Sequence, residues 1–153
     1  MLSYRIFLAF LFCGFFFSAH AQVGVPSKIT IKVVPVFGQP CIAEESPLRT
    51  CTVEFRRPLS IYPTNNREID VFFSVTPSAG YKLSFSRLGP TFGSPPLPSV
   101  KFAQGADRAY VVLIPRLTSV NEGTRYVTFQ LQPSPTNSYI ILRPDKASVK
   151  IVD

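Results

Sequence analysis

Apolar and polar residues alternate along most of this chain with a period of two. In Lys28-Ile29-Thr30-Ile31-Lys32-Val33, one face carries Ile29, Ile31 and Val33 and the other carries Lys28, Thr30 and Lys32. That is the pattern of a strand buried on one side. The same period runs through 52–56, with Val53 and Phe55 inward, and 68–75, with Ile69, Val71, Phe73 and Val75 inward. It continues in 81–85 and 126–131. A short apolar run at 100–102 meets a turn at Gly105, and a longer run at 110–114 stops at Pro115. Short runs at 139–142 and 147–152 close the chain, the last with Val149 and Ile151 inward. No window of 11 or more residues carries a helical stripe, and nearly all of the 15 prolines fall between runs. Short strands punctuated by turn signals predict an all-β fold. The expected architecture is an antiparallel β-sandwich of about seven to nine strands. Phe72 breaks the alternation, since it lies opposite Val71 and Phe73; it is either exposed or covered by a loop. The stretch 87–98 is rich in Pro and Gly and cannot be regular sheet, because proline donates no ladder hydrogen bond.

The N-terminus changes the picture. Arg5 is the only charge before Lys28, residues 6–17 are nearly all apolar, and Ala19 and Ala21 form an A-x-A site. This is the pattern of a secretory signal peptide over residues 1–21, cleaved after Ala21. A membrane helix needs about 20 apolar residues, more than this run supplies. The expected mature chain is one domain, residues 22–153, with no membrane span. It would be secreted, periplasmic or at the cell surface. Cleavage removes Arg5, His20 and Cys13, leaving 15 basic residues against 9 acidic ones and no histidine. Cys41 and Cys51 remain, and two cysteines in an exported chain predict one disulfide.

Without histidine or a free thiol, Ser–His and Cys–His catalysis and Cys/His zinc sites are excluded. No Gly-rich phosphate loop is present. An enzyme would have to use a carboxylate pair drawn from Glu54, Glu68, Asp70 or Glu122. Glu68 and Asp70 lie on the polar face of a strand and read as solvated charges, so a non-enzyme is expected. The basic residues are spread singly, and Arg56-Arg57 is the only adjacent pair. A nucleic-acid surface would be denser, with aromatics interleaved. Weak attraction to polyanions is the most that the net charge implies.

The order of these motifs resembles the Calx-beta domain family, immunoglobulin-like sandwiches. Val100-Lys101-Phe102-Ala103-Gln104-Gly105 resembles their t-F-x-x-G turn, and Val111 to Ile114 takes the place of the next strand. Asn121-Glu122-Gly123 resembles the v-E-G loop, and Tyr126-Val127-Thr128-Phe129-Gln130-Leu131 the f-x-v-x-L strand. Ala147-Ser148-Val149-Lys150-Ile151-Val152-Asp153 resembles the closing a-x-v-x-I-x-D. The resemblance implies acidic loops at one end that bind calcium in the best-known members. The matching carboxylates here are Glu44, Glu45, Glu122 and Asp153. The family's run of aspartates is replaced by Pro115-Arg116-Leu117, and the acidic pair after its E-G by Thr124-Arg125. A Ca²⁺ ion takes roughly six to eight oxygen ligands. Few carboxylates beside Arg116 and Arg125 imply weak calcium binding or none, and no other cofactor is expected.

Three functions follow as expectations. The first is a non-catalytic module that binds another extracellular or surface protein. Its long loops 87–98 and 116–125, with Arg87, Phe92, Arg116 and Arg125, would make the contact. The second is a calcium-binding module. The third is a polysaccharide-binding protein.

Overall fold

The computed structural model describes residues 26–153, apart from 37, 46–47, 62–65, 78, 118 and 120–121. The expected leader, with Cys13 and His20, lies outside the described residues, as does Asn121. Ten strands form: β1 (Ser27–Val33), β2 (Ile42–Glu44), β3 (Cys51–Arg56), β4 (Ile69–Thr76), β5 (Tyr81–Phe85), β6 (Ser99–Phe102), β7 (Arg108–Pro115), β8 (Arg125–Leu131), β9 (Tyr139–Ile141) and β10 (Lys146–Val152). One sheet has the order β5-β7-β3-β1-β9 and the other β2-β10-β8-β4-β6.

The alternation predicted from sequence sets the two inner faces. Ile29, Ile31, Val53, Phe55, Val111 and Leu113 are buried from the first sheet; Val71, Phe73, Val127, Phe129, Val149 and Ile151 are buried from the second. Phe73 links the layers, its ring centroid 5.1 Å from Phe55, 5.9 Å from Phe129 and 6.2 Å from Phe85. These offset, tilted contacts are the arrangement that aromatic quadrupoles favour.

The all-β sandwich is as expected, with two differences. The expectation of purely antiparallel pairing does not hold at the margins: β9 runs parallel to β1, and β2 parallel to β10. The strand count is ten because β2 lies inside what reads as the Cys41–Cys51 loop. A three-residue strand shows no period, and its partner is at the far end of the chain. Cys41 and Cys51 form the predicted disulfide, with their Cα atoms 5.8 Å apart and a sequence separation of 10. A loop of that length implies stabilisation of about 3 kcal/mol in the chain-entropy account.

Two polar side chains hold the loops to this frame. Arg57, half of the only adjacent basic pair, is not a surface charge but is 2% exposed. Its Nε donates to Ala106 O at 2.6 Å, Nη1 to Arg67 O at 2.6 Å, and Nη2 to Ala103 O at 2.8 Å and Asn66 O at 3.4 Å. The guanidinium also lies 5.2 Å from the Phe102 ring centroid. Burial weakens its hold on its proton, and Asp107 offsets part of that effect.

Tyr139 ties β9 to β4. Its hydroxyl donates to Gln132 O at 2.6 Å and accepts from Phe72 N at 3.0 Å. Burial pushes its pKa up to about 12, while the Phe72 bond pulls the other way. An unfolded tyrosine ionises near pH 10. Between about 10 and 12 the unfolded chain therefore binds fewer protons than the native one. Stability from this group is complete below that window and is lost as pH rises through it. In urea titrations between about pH 8 and 12, the wild type is expected to lose stability more steeply than Tyr139→Phe. At neutral pH the variant is expected to be weaker by about 1–3 kcal/mol, because Phe72 N–H loses its acceptor. Equal alkaline slopes would contradict this role.

Candidate functional site

Two regions of the sandwich carry the residues singled out in the sequence. The first is the end formed by the start of β8, the segment after β2, the C-terminus of β10 and the turn between β4 and β5. Arg125, the first residue of β8, lies opposite Ile151 of β10. Glu45 follows β2, and its backbone N–H donates to Val152 O at 3.1 Å. This pairing delivers Glu45, with a side chain 3% exposed, to the Arg125 guanidinium. Arg125 Nη2 bonds Glu45 Oε1, and Nη1 pairs with Glu122 Oε2. Nη2 also donates to Gly80 O at 3.3 Å, and that carbonyl accepts from Arg116 N at 3.1 Å.

Gly80 is required here. Its φ is +89°, a left-handed conformation that side chains resist, and a Cβ would stand 3.0 Å from Arg125 Nη1. Asp153 completes the region by accepting from Gly123 N through Oδ2 at 2.6 Å. Glu44 points elsewhere: it pairs with Arg49 at 3.1 Å across the disulfide loop.

Glu45, Glu122 and the Gly80 carbonyl are thus gathered around a positive charge, and that charge is a guanidinium. Calcium would need the same oxygens, and it would need Arg125 to leave them. The residues present therefore do not fit a resident Ca²⁺. Arg125, expected at an interaction loop, is mostly enclosed, whereas Arg116 is exposed.

The second region is an open groove of about 680 Å³ between the 87–98 loop and the segment after β8. Ile69, Asp70, Phe72, Pro90, Phe92 and Pro135 line it. Phe72 is 7% exposed because Phe92 covers it, with ring centroids 5.7 Å apart in an edge-to-face contact. Of the two alternatives for Phe72, the loop cover is the one realised. Phe92 itself remains 52% exposed.

The proline-rich loop is ordered by its own backbone. Phe92 and Leu97 exchange N–H···O bonds at 3.1 and 2.8 Å, and Gly89 N donates to Ser99 O at 3.1 Å. A Cβ on Gly89 would lie 2.1 Å from Ser99 Oγ and 2.7 Å from Asp70 Oδ1, so only glycine passes there. Along the wall, Lys101 Nζ lies 2.7 Å from Glu68 and 3.8 Å from Asp70, and Arg87 lies 3.6 Å from Glu68.

The carboxylates considered for catalysis are neutralised by cations. The Lys101 hydrogen bond holds the Glu68 carboxyl below its usual range, and Glu68 in turn strengthens the lysine's hold on its proton. A glycosidase acid needs the opposite shift. Glu54 has a side chain only 4% exposed and pairs with Lys32, Arg56 and Arg108 at 3.3, 3.5 and 3.4 Å. Glu122 belongs to the Arg125 cluster.

The groove joins Phe72 and Phe92, both singled out in the sequence, to Ile69, Pro90 and Pro135, which were not. Only the displaced period at Phe72 marked this outer face, and it left open whether the ring is exposed or covered. No sequence feature reports that Pro135 closes the other wall.

No protein-family model matches the sequence, and no curated protein sequence matches it. Among solved structures, the fold is similar to CBD12 from CALX1.2, with a TM-score of 0.52 and 18% identity. That match covers 82% of this chain and 45% of the other, so the chain spans less than half the length of that structure. The apo-form Calx CBD1 domain also matches, with a TM-score of 0.48 and 18% identity over 82% of this chain and 96% of that one. The chain has the β-sandwich fold of Calx-beta domains.

Proposed function

We propose that this chain is an exported, non-catalytic β-sandwich module that binds another extracellular protein through the Phe72–Phe92 groove. Cleavage after Ala21 leaves Gln22–Asp153 as the working domain. The observation that carries the reading is the half-exposed Phe92 ring, packed on Phe72 in a loop that its own hydrogen bonds hold rigid. A large aromatic already fixed in position loses little entropy when a partner covers it. Pro90 and Pro135 add rigid apolar walls, and the Glu68–Lys101–Arg87 network supplies a polar rim.

A photo-crosslinking residue at position 92, compared with one at Ser148 on the other flank of the sheet, tests this in the producing cells. The expected result is one discrete adduct from position 92. Phe92→Ala is expected to weaken binding of the partner so identified by at least about tenfold, a typical loss for a central aromatic. Equal adducts from both positions, or unchanged affinity in Phe92→Ala, would contradict it. N-terminal sequencing of the exported product is expected to begin at Gln22. A calcium-binding module is the competing reading, favoured by the convergence of Glu45, Glu122 and the Gly80 carbonyl, and opposed by Arg125 among them.

A further inference from the structure

Basic residues that stand apart in the sequence are gathered by the strand register onto one surface. On the outer face of the β5-β7-β3-β1-β9 sheet, Arg56 lies directly opposite Arg108, and Lys32 opposite Glu54. Lys28 shares this face two steps from Lys32 along β1, and Lys82 reaches it from β5 opposite Ile114. All five cations are exposed. The acids beside them are Glu54, which pairs with Lys32, Arg56 and Arg108, and Asp107, which pairs with Arg108 at 3.3 Å. Five cations against two acids leave three positive charges in surplus, a large share of the chain's +7.

The other ten cations of residues 26–153 face seven acids, an equal surplus spread over the rest of the domain instead of one face. Lys101 and Arg87 face Glu68 and Asp70, Arg125 faces Glu45 and Glu122, and Arg49 faces Glu44. Glu54 also has a positional effect. With its own side chain 4% exposed, it holds three cations whose side chains remain 46–49% exposed. They are fixed before any ligand arrives, and preorganisation lowers the cost of binding.

Adjacent strands are about 4.8 Å apart, and same-face residues about 6.7 Å apart along a strand. Lys28, Lys32, Arg56 and Arg108 therefore stand within one or two steps of one another, while Lys82 lies about 20 Å along β7 from the level of Arg108, so the cations cross the sheet as a line with one wide gap. A sheet twists, so such a line curves. A flat lipid surface would touch only part of it, whereas a flexible linear chain can follow all of it. Tyr110, opposite Glu54, adds one aromatic ring beside the line.

We propose that this face binds a linear acidic polysaccharide, with its carboxylate or sulfate groups on Lys28, Lys32, Arg56, Arg108 and Lys82. The site is separate from the Phe72–Phe92 groove, so its failure would leave the groove reading intact. The test is the affinity of the full chain for polygalacturonate at about 50 mM salt, with neutral dextran as the control polymer. Two face variants are compared, Arg56→Gln with Arg108→Gln, and Lys28→Glu with Lys82→Glu. The second pair lies away from Glu54 and leaves its ion pairs in place.

Lys146→Glu with Lys150→Glu puts the charge change of the Lys28 and Lys82 pair, twice that of the arginine pair, on the outer face of the opposite sheet. Binding to polygalacturonate and not to dextran is expected, weakening as salt rises. Each face variant is expected to lose about tenfold in affinity, and the opposite-sheet variant less than about threefold. Equal losses on both sheets would reduce the effect to net charge and overturn the proposal. So would absence of binding by the wild type, or tighter binding to vesicles of anionic lipid than to the polysaccharide.

Discussion

Arg57→Lys is expected to destabilise the domain by about 3 kcal/mol, although the charge is kept. The planar guanidinium donates to four backbone carbonyls in two segments at once, those of Asn66 and Arg67 before β4 and of Ala103 and Ala106 between β6 and β7. An ammonium has three donors on a flexible stem and no fork, so it cannot reach all of them. Each buried carbonyl left without a partner costs about 1–3 kcal/mol. Arg57→Ala is expected to cost more still, since it adds a cavity beside Phe102. Chemical denaturation of the three chains measures this. A lysine variant within about 1 kcal/mol of wild type would show that the fork geometry is not what secures these segments.

The second large effect is expected at Arg125. In Arg125→Ser, the buried Glu45 and the half-exposed Glu122 lose their shared counter-charge. Removing one partner from such a pair costs roughly 3–5 kcal/mol when the remaining charge stays buried. The variant also leaves Glu45, Glu122 and the Gly80 carbonyl facing a space without a cation. Calcium is then expected to restore part of the loss, raising the melting midpoint of the variant by several degrees. A variant that melts close to wild type, or one indifferent to calcium, would mean that these oxygens do not form a cation-seeking group.

The sandwich was legible because its code is local. In β1, β3, β4 and β8 the period of two alone identifies which side chains enter the core. The disulfide was legible from the cysteine count and from the export that the leader pattern predicts. Three things were not. β2 is short and is made by pairing with β10, a contact across the whole chain. Arg57 reads as a surface charge because nothing adjacent to it reports the four carbonyls that converge on it. The outer basic face was hidden for the same reason. Arg56 and Arg108 are 52 positions apart in number, yet the antiparallel register of β3 and β7 sets them opposite each other.

The candidate sites show the same division. Glu45 and Glu122 are recognisable as carboxylates that match a calcium pattern, and Arg125 as a residue that departs from it. That the arginine would lie among the very oxygens such a pattern uses depends on Gly80. Its missing side chain makes the room, and its carbonyl takes one of the guanidinium's hydrogen bonds. Phe72 announced itself by breaking the strand period, whereas its cover, Phe92, is fixed by a small hairpin within a stretch whose prolines argue against sheet.

The central claim is that Arg125, paired with Glu45, Glu122 and the Gly80 carbonyl, leaves no place for a metal ion among them. The most direct measurement is a thermal melt of the wild-type chain with calcium at about a hundred times a working dissociation constant, and again with excess chelator. Binding at that level would add about 2.7 kcal/mol and move the midpoint by several degrees. Coincident melts are the predicted result. A clear upward shift with calcium would contradict the account and make the Glu45–Glu122 end a metal site despite its arginine.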